Sequence, residues 1–265
     1  MNLHFHLADR YQAGSSWVHR LDPRAKVLMV LAFILGVSLS PAGDWWAFVG
    51  YFGLVLGISI ASGLGPGYTV RRSFVAAPFV LAALTLPFTV PGPELFKMPL
   101  VGWTASLPGT IRFASLVLRT WLAVQAAILL AATTPFPDLL WALTRLRVPA
   151  PLVAVIGFMY RYLFVAGDEA LRMLRARAAR AAARPTTSHR RPSVVWHGKV
   201  AGNMVGSLFL RSMERSERVY DAMLARGYDG QVRSLIQFRF RAIDAAALIT
   251  TLAAVAGLAA WSLRG

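Results

Sequence analysis

The chain has 265 residues, of which 56% are hydrophobic and 15% charged, with a mean hydropathy of +0.52, whereas a soluble domain carries roughly 25% charged residues. Its 28 Lys and Arg outweigh 12 Asp and Glu, a formal +16, a balance suited to anionic lipid or an acidic protein surface; the hydropathy argues against nucleic acid as the partner. With no cysteine, disulfides and thiolate metal sites are excluded.

Met1 to Ser16 is polar and contains Asp9, so no cleavable leader is expected there. A membrane helix needs about 20 mostly apolar residues, because hydrocarbon offers no partner to backbone polar groups. Four runs approach this in the first half: Val27 to Ser40, extendable through Pro23 to Lys26; Trp45 to Ser62; Phe74 to Val90; and Ile111 to Ala132. Pro78 and Pro87 should bend the third, since each removes a backbone donor. A fifth run, Ala242 to Leu263, carries Trp261 as an interfacial anchor. The expected fold is therefore an all-α integral membrane protein of about five spans, with residues 1–135 as a four-span membrane domain, 136–241 as a cytoplasmic helical module, and 242–265 as the final span.

Short-loop basic residues set the orientation. Arg20, Arg24 and Lys26 precede the first run, Arg71 and Arg72 lie between the second and third, and Arg145 and Arg147 follow the fourth, while Lys97 alone marks the other side. The N-terminus and the basic module are thus expected in the cytoplasm of a plasma-membrane protein. Between Arg161 and Arg241 there are sixteen Lys and Arg against six Asp and Glu. Val148 to Ala166 is apolar enough to span, yet basic residues flank both sides, so it reads as a helix in or under the inner leaflet, continuing as the polar helix Asp168 to Ala183. Arg184 to Pro192, with two prolines, is a break. A second long helix is expected from about Val194 to Ala225.

That helix ends in Ala225-Arg226-Gly227, where Gly227 suits the left-handed position after a helix and Arg226 lies at the negative end of the dipole. Phe209, Met213, Tyr220 and Met223 form a Met/aromatic stripe that either packs on the preceding helix or meets a partner. Arg211, Arg215 and Arg218 form a separate cationic face, with Glu214 and Arg218 as an i,i+4 pair. Gly202 and Gly206 would allow close approach of another helix, as would Gly53 and Gly57.

Catalytic and ligand-binding signals are sparse. His4, His6 and His19 have no cysteine or carboxylate cluster to complete a metal site, and His189 and His197 stand alone. No phosphate-binding GxxxxGK[ST] loop or hydrolase motif is present, so no cofactor, metal or enzymatic role is expected. A stand-alone channel or secondary transporter would need polar residues along its spans. Arg119 and Gln125 are the main candidates, Arg119 for function or for snorkelling to the interface, with Asp244 at a membrane edge.

Several segments together resemble the T component of energy-coupling factor transporters, specifically the cobalt-type CbiQ family. They are Asp9-Arg10-Tyr11, Val18 through Lys26, Met159 through Val165 with Asp168-Glu169, and Phe209 through Gly230. The resemblance implies two cytoplasmic coupling helices, each ending in an Ala-Arg-Gly/Ser-like tripeptide that docks on one of two ATP-binding-cassette ATPase subunits. It also implies a membrane-embedded partner that binds the substrate, cobalt or possibly nickel. The second tripeptide would be Ala225, Arg226 and Gly227. The first would be Ala179, Arg180 and Ala181, where Ala replaces the usual third residue and Ala176-Arg177-Ala178 competes.

Overall fold

The computed structural model describes residues 11–97, 104–182, 194–230 and 238–262. His4, His6, Asp9, Arg10, His189 and the break at Arg184 to Pro192 lie outside them. The described residues are overwhelmingly helical: α1 (Trp17–Arg20), α2 (Pro23–Leu39), α3 (Trp45–Ala61), α4 (Pro66–Arg72), α5 (Ala77–Ala83), α6 (Leu86–Thr89), α7 (Leu107–Thr133), α8 (Phe136–Arg145), α9 (Ala150–Ala182), α10 (Val194–Ala225) and α11 (Ala242–Ser262). A two-stranded antiparallel ribbon, β1 (Glu94–Lys97) with β2 (Thr104–Ser106), connects α6 to α7. The chain divides into two compact units, one of Asp9–Leu146 with Ile236–Gly265 and one built on Arg147–Leu235.

In the first unit, local chemistry fixes the helix starts. Asp22 caps α2, its carboxylate accepting from the Arg24 N–H, and Pro23 supplies a preset first helical residue. Asp44 and Ser106 cap α3 and α7 in the same way. The third apolar run is broken as its prolines dictate: a 3₁₀ turn at Ser73–Ala76 leads into α5, which carries Pro78 in its first turn, and α6 begins around Pro87. Taken together, Gly67–Thr89 is still long and apolar enough to span, as are α7, α9 and α11.

The core of this unit gathers Phe33 and Val37 of α2, Phe48, Tyr51 and Val55 of α3, Leu122, Ala126 and Leu129 of α7, and Val255 of α11. Phe33 meets the Tyr51 ring edge-on at 5.5 Å, and Phe52 stacks on Trp121 at 5.5 Å. Helices α2 and α11 approach closely because Gly36 has no side chain; a Cβ there would lie 2.4 Å from Val255 Cγ1. α8 packs with this unit through buried Trp141 and Ala142, although its basic residue and amphipathic pattern resemble the region that follows.

The second unit is a pair of long helices. α9 runs without interruption from Ala150 to Ala182, joining the apolar stretch to the polar one in a single element. α10 packs beside it and has no buried residue of its own.

Candidate functional site

The end of α10 is a Schellman motif, built residue by residue. The Tyr228 N–H donates to Met223 O at 3.0 Å and the Gly227 N–H to Leu224 O at 2.9 Å, while Gly227 has φ +80°. Nothing lies within 4 Å of a Cβ built on Gly227, so the glycine is needed for its backbone conformation rather than for space. This closure consumes the last carbonyls of the helix and holds Arg226, the residue before the glycine, on an exposed and rigid terminus. Ala225 is exposed beside it.

Ala179 and Arg180 are exposed in the last described turns of α9, and Ala181 continues the helix backbone. The competing Arg177 is half-buried, its guanidinium 5.6 Å from the centre of the Trp196 ring on α10. Of the two tripeptides, only the one centred on Arg180 presents an uncovered arginine.

The faces of α10 divide differently from their one-dimensional pattern. Arg211 donates to Glu169 of α9 at 2.9 Å and Arg215 lies 3.8 Å from the same carboxylate. Two of the three arginines expected on a separate cationic face are therefore turned toward the neighbouring helix. Arg218 faces outward and pairs loosely with Glu214 at 4.0 Å. Phe209, Met213 and Tyr220 are more than half exposed, and only Met223 is partly covered. The stripe thus does not pack on α9; Met204 and Ser207 line that side instead. Gly202 and Gly206 have open space at their Cβ positions, so they too lie on an unoccupied face. Between the helices runs an open groove of about 720 Å³, with Arg172, Arg177, Arg180 and Arg211 around the single acid Glu169.

The first unit holds a polar knot whose members show in the sequence only as separate signals, Lys26 as a basic flank and Asp244 at a membrane edge. Lys26 is 5% exposed, and its ammonium donates to His19 O and to Thr133 O, both at 3.0 Å. Asp244, 3% exposed, accepts from the Asp22 N–H at 2.9 Å and from the Arg241 N–H at 2.7 Å. The starts of α2 and α11 and the end of α7 are thereby pinned together, so α2 and α11 run parallel and α7 runs against both. Burial pushes the Asp138 carboxyl above the usual carboxylate range, with the Lys26 charge opposing it. Burial likewise lowers the His19 pKa. Arg24 lies 4.3 Å over the Trp141 ring, which in turn meets Phe238 at 5.0 Å. At the other end of α2, Arg119 donates to the Ser40 carbonyl, capping that helix across 79 residues of sequence. Arg119 is thus a tie between helices. Gln125 is buried, with its amide Nε2 unpartnered.

These features define an all-α multi-pass membrane protein that carries a pair of long basic helices. The family model described as cobalt transport protein CbiQ matches residues 14–236. The chain is 31% identical to the cobalt transport protein CbiQ of Rhodobacter capsulatus, with 86% of each chain covered. It is 29% identical to the energy-coupling factor transporter transmembrane protein EcfT of Listeria innocua, over 95% of this chain and 96% of that one. It is 28% identical to the EcfT of Thermosediminibacter oceani, over 91% and 92%. The chain belongs to the CbiQ family, the transmembrane T components of energy-coupling factor transporters.

Proposed function

We propose that this chain is the coupling subunit of a cobalt importer, carrying conformational change from two ATP-binding-cassette ATPase subunits to a membrane-embedded metal-binding subunit. The observation that carries the proposal is the exposed Arg226 on a glycine-closed helix end. A guanidinium held there can make several charge-assisted hydrogen bonds to an acidic groove without first ordering a loop. Arg180, exposed near the end of α9, supplies the second contact. Two tethered contacts raise the effective concentration of each. When the ATPase pair closes on nucleotide, the two docked ends shift relative to each other, and α9 and α10 act as levers. The uncovered face bearing Phe209, Met213 and Tyr220 is available to the membrane partner.

In this topology the membrane domain is 1–135, the cytoplasmic coupling module 136–241 and the last span 242–265, with the N-terminus in the cytoplasm of the plasma membrane. The chain is non-catalytic and hydrolyses no nucleotide. The names of the Rhodobacter relative and of the family support cobalt as the substrate; the metal itself would be held by the partner subunit. The test is Arg226→Glu in the assembled transporter. Loss of ATPase co-purification and of cobalt uptake is expected; retention of both would refute the docking role.

A further inference from the structure

The chain enters the pair of long helices after Leu146 and leaves it before Ile236, so a displacement of α9 or α10 travels along the backbone to the membrane unit at these two crossings. Both are anchored on one side chain. Trp141, 7% exposed, lies on α8 shortly before the first crossing, and its ring meets that of Phe238, just after the second, at 5.0 Å with the planes 61° apart. Rings in this arrangement attract beyond the area they bury. The Arg24 guanidinium at the start of α2 lies 4.3 Å from the centre of the same indole and that of Arg145 lies 5.8 Å from it, within the range where cation and ring attract. Asp138, in the first turn of α8, feels the Lys26 charge, so α8 is seated on α2 by charge as well as by packing. A core residue needs only apolar cover; Trp141 instead joins three segments distant in sequence, α2, α8 and the return from α10.

The outgoing link is short and constrained. Arg147 holds a left-handed φ of +65°, and the ring of Pro149 fixes its own φ. The Pro149 carbonyl already accepts from the Leu152 and Val153 N–H groups of α9, at 3.0 and 3.3 Å, so little motion of α9 is lost before it reaches α8. On the return side the hold is the Phe238 ring. We infer that Trp141 is a positioning residue for energy coupling: with Phe238 and Arg24 it clips both connections of the helical pair to the start of α2, so that movement of the pair is delivered to the membrane helices instead of being taken up in the links. This rests on the coupling role proposed above for α9 and α10.

The experiment uses the transporter assembled from this chain, its ATPase subunits and its membrane partner, reconstituted in lipid vesicles, with ATP hydrolysis and cobalt uptake measured on the same preparation. Trp141→Leu and Phe238→Leu should both keep ATPase co-purification and hydrolysis while the metal moved per ATP falls about fivefold, the low end of coupling between two sites. Trp141→Phe, which keeps a ring between Arg24 and Phe238, should restore most of it. Phe238 is half-buried and its replacement leaves α8 intact, so the fall in Phe238→Leu carries the assignment even where Trp141→Leu assembles poorly. Val55→Ala lies in the core of the same unit, in a cluster that does not include Trp141, and should leave the ratio unchanged. An unchanged ratio in Phe238→Leu, or an equal fall in Val55→Ala, would overturn the clip while leaving the docking role standing. Normal assembly and uptake in Arg226→Glu would instead remove the coupling reading, and the clip with it.

Discussion

Replacing Lys26 by Met is the most informative single perturbation of the membrane unit. The side chains are similar in length, so the packing beside Asp22 and Asp244 is largely kept while the ammonium is lost. Two carbonyls, of His19 and Thr133, then lose a charged donor, and each buried acceptor left unmatched costs about 1–3 kcal/mol. The Asp138, Asp244 and Asp22 carboxylates also lose a buried counter-charge, and breaking a buried ionic cluster from one side costs about 3–5 kcal/mol. These costs overlap because they share one ammonium, so about 3–5 kcal/mol is the expected total. The assay is reversible unfolding of the chain in mixed micelles, comparing Lys26→Met, Asp244→Asn and the double variant. The double variant should be less destabilised than the sum of the two single variants, since each removes a partner of the same cluster. A loss below about 1 kcal/mol for Lys26→Met, the scale of an exposed ion pair, would refute the view that this cluster holds the three helix ends together.

Gly227→Ala should place a Cβ in the left-handed region at a cost of about 1–2 kcal/mol, speeding hydrogen exchange at the Gly227 and Tyr228 amides roughly tenfold, a factor worth about 1.4 kcal/mol; Gly227→Asn should exchange more slowly than Gly227→Ala. Arg119→Met removes the donor that caps α2 at Ser40 and should cost about 1.5–3 kcal/mol in the same unfolding assay, with Arg119→Lys recovering part of it. An Arg119→Met variant as stable as the wild type would place Arg119 outside the stability of the fold.

Sequence patterns revealed the local features well. The apolar runs correspond to α2, α3, α7 and α11, the prolines mark the breaks at Pro78 and Pro87, and Gly227 sits where a helix stop was expected, because each depends on residues close in sequence. Features that depend on distant partners were hidden. Lys26 reads as one more basic flank of a span, and nothing local says that it is buried; its environment is made by Thr133 and Asp244, and Asp244 lies 222 residues from Asp22. Arg211 and Arg215 have Glu214 and Glu217 close by in sequence, yet the acid that turns them inward, Glu169, lies 42 residues from Arg211. The role of Arg119 has no sequence signature, because its partner is the backbone carbonyl of Ser40. Phe209, Met213 and Tyr220 share an uncovered side of α10, and only three dimensions separate them from the side that meets α9.

The clasp between Asp22 and Asp244 has a consequence for how the protein is made. α2 leaves the ribosome long before α11, and the carboxylate that receives its capping residue's amide, with the Val255 side chain that fills the hollow at Gly36, arrives only after the whole α9–α10 segment has been synthesised. Until then the early spans wait in the bilayer with an uncovered seam and an incompletely screened lysine. Final assembly of the membrane unit therefore waits for α11, and a nascent chain halted before α11 would display that seam to lipid and to quality-control proteases.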